Sequence, residues 1–145
     1  MLTPLVDELL RSGRTVRFRA PGHSMSPLIR SNETLVIRPI EPRAFRKGDI
    51  LLYRSADRLT AHRLVHIVSG TEGEVRQLIL RSDAWRSADE CVLPAQVLGK
   101  VVAVERESDQ FDPYSRKSVL RNLPRKLGTE LRRGIKALIS TLRLP

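Results

Sequence analysis

One cysteine, Cys91, stands in 145 residues, and aromatic residues make up only 4%. The lone thiol excludes an intramolecular disulfide, so the fold does not rest on an oxidising compartment. Trp85, Tyr53 and Tyr114 lie far apart. They form no aromatic platform, and no reader motif accompanies the basic charge, which counts against a nucleic-acid partner. No stretch reaches the roughly 20 apolar residues of a membrane-spanning helix. Asp7, Glu8 and Arg11 break the run Leu5 to Leu10 that a secretory signal would need. These absences point to a cytoplasmic location, with no cofactor and no metal expected.

Charge is abundant but uneven. The formal net charge is +10, from 26 Lys and Arg against 16 Asp and Glu. From Arg116 onward nine basic residues face a single acid, Glu130, so the tail carries +8 and the body +2. The basic balance therefore describes the tail.

The length suits one modest domain with appendages. A short helix is expected over residues 3–12, with Leu5 and Leu9, together with Val6, on one face and Gly13 as its stop. Val16-Arg17-Phe18 then alternates. Thr34 to Ile37, Asp49 to Tyr53, Thr60 to Val68, Val75 to Leu80 and Val97 to Val104 are short and rich in Val, Ile and Leu, divided by turn residues. Such spacing predicts an all-β barrel or coiled sheet. The expected organisation is an N-terminal helix over 1–14, a β domain over 15–108, a polar linker over 109–116 and a basic amphipathic helix over 117–145. In that last segment Leu120, Leu123, Leu127, Leu131, Ile135, Leu138 and Leu142 form one stripe. Asn122 suits its N-cap and Pro124 its first turn.

Three pieces carry chemistry. Pro21-Gly22-His23-Ser24-Met25-Ser26-Pro27 follows the first strand and holds Ser24 in a constrained turn; a serine hydroxyl needs a base before it becomes a nucleophile. His62 lies in the β-like run Ala61 to Val65, with His66 on the same face by period two as a minor rival. Asp83 ends an apolar strand and Asp89 follows it. Each piece alone is ordinary: a turn serine, a structural histidine, a turn-capping acid. Their order, Ser then His then Asp, is the signal.

Ser24-Met25-x-Pro27 resembles the nucleophile box of signal peptidase I and its LexA-type relatives. Lys47-Gly48-Asp49-Ile50-Leu51 resembles the strand box that follows it. His62-Arg63-Leu64-Val65 is similar to the base box of the ER and archaeal subtype, Leu80 to Asp83 to the later acid box, and Leu98-Gly99-Lys100-Val101-Val102 to the closing strand. The resemblance spans about Val16 to Val104. Bacterial members use a lysine base, yet no lysine occurs between Lys47 and Lys100. The resemblance thus implies Ser24 as nucleophile, His62 as general base, and Asp83 or Asp89 as the acid that orients it. Gly22, His23 and Met25 would flank the oxyanion and substrate site. Gly22 stands where the family pattern Ser-Gly-Ser-Met has a serine, which leaves backbone N–H groups as the oxyanion donors.

The expected function is a serine endopeptidase that binds an extended peptide as an added strand and prefers small side chains before the cut, as the resemblance implies. The alternative is a non-catalytic module that binds a peptide or partner on the same fold. The tail's apolar stripe either packs on the body or lies on an anionic membrane or an acidic partner, which would make the protein peripheral to the inner membrane face.

Overall fold

The computed structural model describes residues 2–84 and 88–121. Helix α1 spans Leu2–Arg11 and is followed by strands β1 (Val16–Arg19), β2 (Thr34–Arg38), β3 (Ile50–Ser55), β4 (Arg58–Ser69), β5 (Val75–Arg81), β6 (Glu90–Val92), β7 (Val97–Arg106) and β8 (Asp109–Phe111). Helix α2 spans Arg116–Arg121. The fold is mainly β. One curled antiparallel sheet runs in the order β1-β2-β7-β3-β4-β5-β6, with β8 paired to β7.

In α1 the buried positions are Val6 and Leu10, while Leu5, expected on the inner face, is exposed. The buried stripe is thus displaced from the face expected. Gly13 ends the helix at φ 81°, and the N–H groups of Gly13 and Arg14 bond back to the carbonyls of Leu10 and Leu9 at 3.0 Å each. This satisfies carbonyls that the helix end would leave open.

Strand alternation sorts the core into two clusters. Ile50 and Leu52 of β3, with Leu35 and Ile37 of β2 and Val101 of β7, pack with α1 and with Met25, Leu28 and Ile29. Leu51 and Tyr53 of β3 pack on the opposite side with Leu64, Leu78, Leu80 and Val92. Both faces of the central strand are buried, so β3 reads as a continuous apolar run rather than an alternating one.

Two of the sequence boxes are joined here. Lys100 of β7 pairs with the buried Asp49, Nζ to Oδ1 2.7 Å, at the entrance to β3. Tyr114 lies under the same ammonium, 4.9 Å from ring centroid to Nζ. Its hydroxyl accepts the Ile50 N–H at 3.0 Å and donates to the Val101 carbonyl. Gly99 pairs with Leu52 and has no room for a side chain: a Cβ there would stand 2.6 Å from the Arg38 carbonyl oxygen.

Asp109–Phe111, expected within a polar linker, forms β8. Glu107 takes a left-handed conformation, φ 54°, and turns the chain back so that Phe111 pairs with Val104. The helix that follows starts at Arg116, ahead of the expected Asn122 cap. The expected basic helix lies, from residue 122 on, outside the described residues. Among the described residues no helix is long and apolar enough to cross a membrane.

Candidate functional site

Residues 20–33 join β1 to β2, and the loop is pinned at both ends. At its base the Ala20 N–H bonds the Glu33 carbonyl at 3.1 Å, and the Asn32 N–H bonds the Ala20 carbonyl at 2.8 Å. Further along, Met25, Leu28 and Ile29 are inserted in the core, where burial of each side chain is worth about 1.5–3 kcal/mol. Gly22 turns the chain at φ 93°, a conformation that disfavours any residue with a Cβ. Gly22, His23 and Ser24 are left exposed at the surface. Met25, expected beside the oxyanion, is buried beneath them.

The Ser24 carbonyl accepts two hydrogen bonds, from the Ala84 N–H at 3.0 Å and from the Ser82 hydroxyl. Both donors lie just beyond Arg81, the last residue of β5, which pairs with Arg63 of β4. The Ser24 turn is thereby fastened where β5 stops running along β4, at the neighbour of His62. The Ser82 hydroxyl makes part of this fastening.

His62 lies opposite Leu51, on the sheet face that carries Tyr53 and Leu64. Its Nδ1 is 2.9 Å from the Tyr53 hydroxyl. That hydroxyl donates to Glu90, whose other oxygen accepts from the Ser55 hydroxyl at 2.7 Å. Since the tyrosine proton goes to Glu90, its oxygen accepts from His62, so the network assigns the ring proton to Nδ1 and leaves Nε2 unprotonated. The Glu90 carboxylate itself is 4.0 Å from Nδ1. Burial pushes the imidazole below its ordinary pKa, and the Glu90 and Asp83 carboxylates oppose that shift. Burial, then the bond and charge of Glu90, push the Tyr53 phenol up, so it stays a proton donor.

Neither acid expected beside His62 is bonded to it. Asp83 forms a two-pronged pair with Arg63, Nε to Oδ1 2.8 Å and Nη2 to Oδ2 2.7 Å. Arg63 also donates to the Gly48 carbonyl at 2.9 Å. Asp89 is held on the surface by Arg81, Nε to Oδ1 2.7 Å, and that guanidinium keeps its carboxyl below the usual range. The carboxylate beside His62 is Glu90. Pairing of Leu80 with Glu90 puts that residue on the same face as Leu80, Leu51 and Tyr53. His66 is exposed: an irregularity in the β4–β5 pairing between Leu64 and His66 breaks the period-two relation to His62.

A cavity of about 230 Å³ opens beside Ser24. Phe18, Met25, Ile29, Leu35, Leu59 and Ala61 give it an apolar lining, and Thr60, Arg30 and Arg58 complete it. The volume is below the roughly 300–1,000 Å³ of small-molecule pockets and fits a side chain or two. Two strand edges border it. Among the described residues β1 pairs only with β2, and residues 58–62 of β4 pair only with β3 because β5 begins its pairing at Arg63. Unpaired backbone groups along such edges accept an added strand. Among the described residues no cluster of His, Cys, Asp and Glu is arranged to hold a metal ion. The chain matches no protein-family model, no curated protein and no solved structure at a significant level.

Proposed function

We propose that the chain is a serine endopeptidase of the signal-peptidase and LexA-like type, acting on an extended peptide laid beside the Ser24 turn. The observation that carries this reading is the conjunction at one strand edge. An exposed serine in a pinned turn borders a side-chain-sized cavity that reaches along β4 to Ala61, the residue before His62, and the Nδ1 proton of that half-buried histidine is already committed.

In this mechanism the peptide pairs with the free edge of β4 and fills the cavity with one side chain. Ser24 Oγ attacks the scissile carbonyl while His62 Nε2 takes its proton. Backbone N–H groups of the turn receive the oxyanion. The imidazolium is steadied through the Tyr53 hydroxyl by Glu90, in the place of the directly bonded acid of a Ser-His-Asp triad. His62 then gives the proton to the leaving amine, and water, deprotonated by the same nitrogen, releases the acyl-enzyme. Asp83 and Asp89 act at a distance: Asp83 fixes Arg63 and the end of β5, and Asp89 fixes Arg81.

A serine-reactive fluorophosphonate probe tests the reading. Intact-mass and peptide mapping should find one adduct on Ser24, absent from the Ser24→Ala protein and from protein unfolded before exposure. A folded chain that binds peptides yet stays unlabelled at Ser24, with no cleavage of those peptides, would be the non-catalytic binding module instead.

A further inference from the structure

The cavity beside Ser24 is apolar at its centre but cationic at its margin. Arg30 and Arg58 both line it, and no acid does among the described residues. Several strand-borne arginines are paired: Arg17 with Glu105, Arg54 with Asp7, Arg81 with Asp89. Neither Arg30 nor Arg58 makes an ion pair within the described residues. Arginines without an ion pair among the described residues also occur on plain surface, at Arg38 and Arg43 for example. These two differ in standing over an apolar wall, where low polarisability focuses the field and a guanidinium offers a two-pronged fit to a carboxylate.

The backbone gives the charge a defined relation to a bound chain. Arg58 opens β4, and the free edge runs from there to His62. A peptide paired along that edge passes Arg58 while its alternate side chains face the cavity. Arg30 lines the cavity from a different element, the loop that holds Ser24. A carboxylate on the peptide thus meets a guanidinium from either element, and a cationic side chain meets repulsion.

We propose that this pocket selects peptides that carry a carboxylate within a few residues of the apolar side chain filling it. The proposal rests on the reading of this cavity as the peptide site. The carboxylate comes from an Asp or Glu side chain or from a free C-terminus, and the chemistry that recognises it is the same.

The test uses the full chain as Ser24→Ala, so that binding is read without turnover. Labelled synthetic peptides with an alanine-rich apolar core are scanned with Asp, Asn or Lys at each flanking position, all C-terminally amidated. A further Asn peptide carries a free C-terminus. Fluorescence anisotropy should show Asp bound roughly three- to tenfold more tightly than Asn at one or two positions, and Lys more weakly than Asn. The gain should shrink as salt rises. Arg58→Glu should reverse the order in favour of Lys, Arg58→Gln and Arg30→Gln should each reduce it, and Arg43→Glu, outside the cavity, should leave it intact. A gain seen only with the free C-terminus assigns the carboxylate to that source. Equal affinity for Asp and Asn everywhere, with no gain from the free C-terminus, overturns the proposal. So does an Asp preference that survives Arg58→Glu in a protein of unchanged circular dichroism. Labelling of wild-type Ser24 is scored separately. An Asp preference without labelling removes the peptidase reading alone, and labelling without the preference removes the selectivity alone.

Discussion

At the residue scale, the proposed role of His62 turns on which acid faces it. The sequence offers Asp83, Asp89 and Glu90 within a few positions, and their chemistry is nearly identical. Strand pairing separates them. Asp83 sits two residues past Arg81, which lies opposite Arg63, so it is within reach of that guanidinium. Glu90 enters β6 in register with Leu80 and turns toward Tyr53. A three-residue strand has too few positions for alternation to be read from sequence, which is why Glu90 was not legible while the acid-bearing segment was. Tyr53 was hidden for a related reason: in a continuous apolar run its hydroxyl looks like core. The exposed turn that holds Ser24 was legible, because a Gly/Pro-bounded turn is a local signal.

That assignment makes a kinetic prediction. The base must be neutral, so activity against a cleaved peptide should fall as pH drops through the pKa of His62. Burial depresses that pKa, so the acidic limb should lie below the ordinary 6.5 or so. Glu90 opposes the depression, hence Glu90→Gln should move the limb further toward acid. It should also lower kcat on the order of 10–100-fold, less than the roughly 10⁴-fold lost when a directly bonded triad acid is neutralised. Tyr53→Phe should lower kcat comparably. Asp83→Asn should leave the limb nearer its wild-type position, since Asp83 is the smaller of the two carboxylate influences on His62. A limb that moves with Asp83→Asn and stays fixed with Glu90→Gln would restore Asp83 to the orienting role.

At the scale of elements, the long strands were readable and the short ones were not. Thr34 to Ile37 and Val97 to Val104 are rich in β-branched residues and appear as β2 and β7 with small extensions. β6 and β8 span three residues each and owe their form to the edges they join. The closing-strand box also has a structural meaning that its sequence pattern does not disclose. Gly99 lets β7 and β2 approach, and Lys100 meets Asp49 of the earlier box, so two motifs distant in sequence share one junction. Gly99→Ala should destabilise the fold by about 1–3 kcal/mol, because its methyl would press on the Arg38 backbone, which cannot move aside as a side chain would. Urea denaturation measures this. An unchanged midpoint would mean that the β2–β7 pairing opens without cost.

At the scale of the whole molecule, charge and fold are divided. The body to residue 115 carries +2 and the remainder +8, and among the described residues eight of the body's 17 cations are paired with acids. The basic segment starts with a local bond: the Ser115 hydroxyl donates to the Ser118 hydroxyl at 2.8 Å, and Ser118 is buried. From residue 122 the sequence, set on a helical period, would place leucines on one side and cations on the other. Each cation close to an anionic bilayer contributes on the order of 1 kcal/mol, decaying within a Debye length, and a shallow apolar insertion adds to it. Such a segment would hold the body, and the proposed peptide site with it, near a membrane. Co-sedimentation with vesicles of anionic or neutral phospholipid should show binding to the anionic ones at low salt, lost when residues 122–145 are deleted and weakened as salt rises. Binding unaffected by the deletion, or absent from anionic vesicles at low salt, would leave the segment with no membrane role, its stripe free to pack on the body or on an acidic partner.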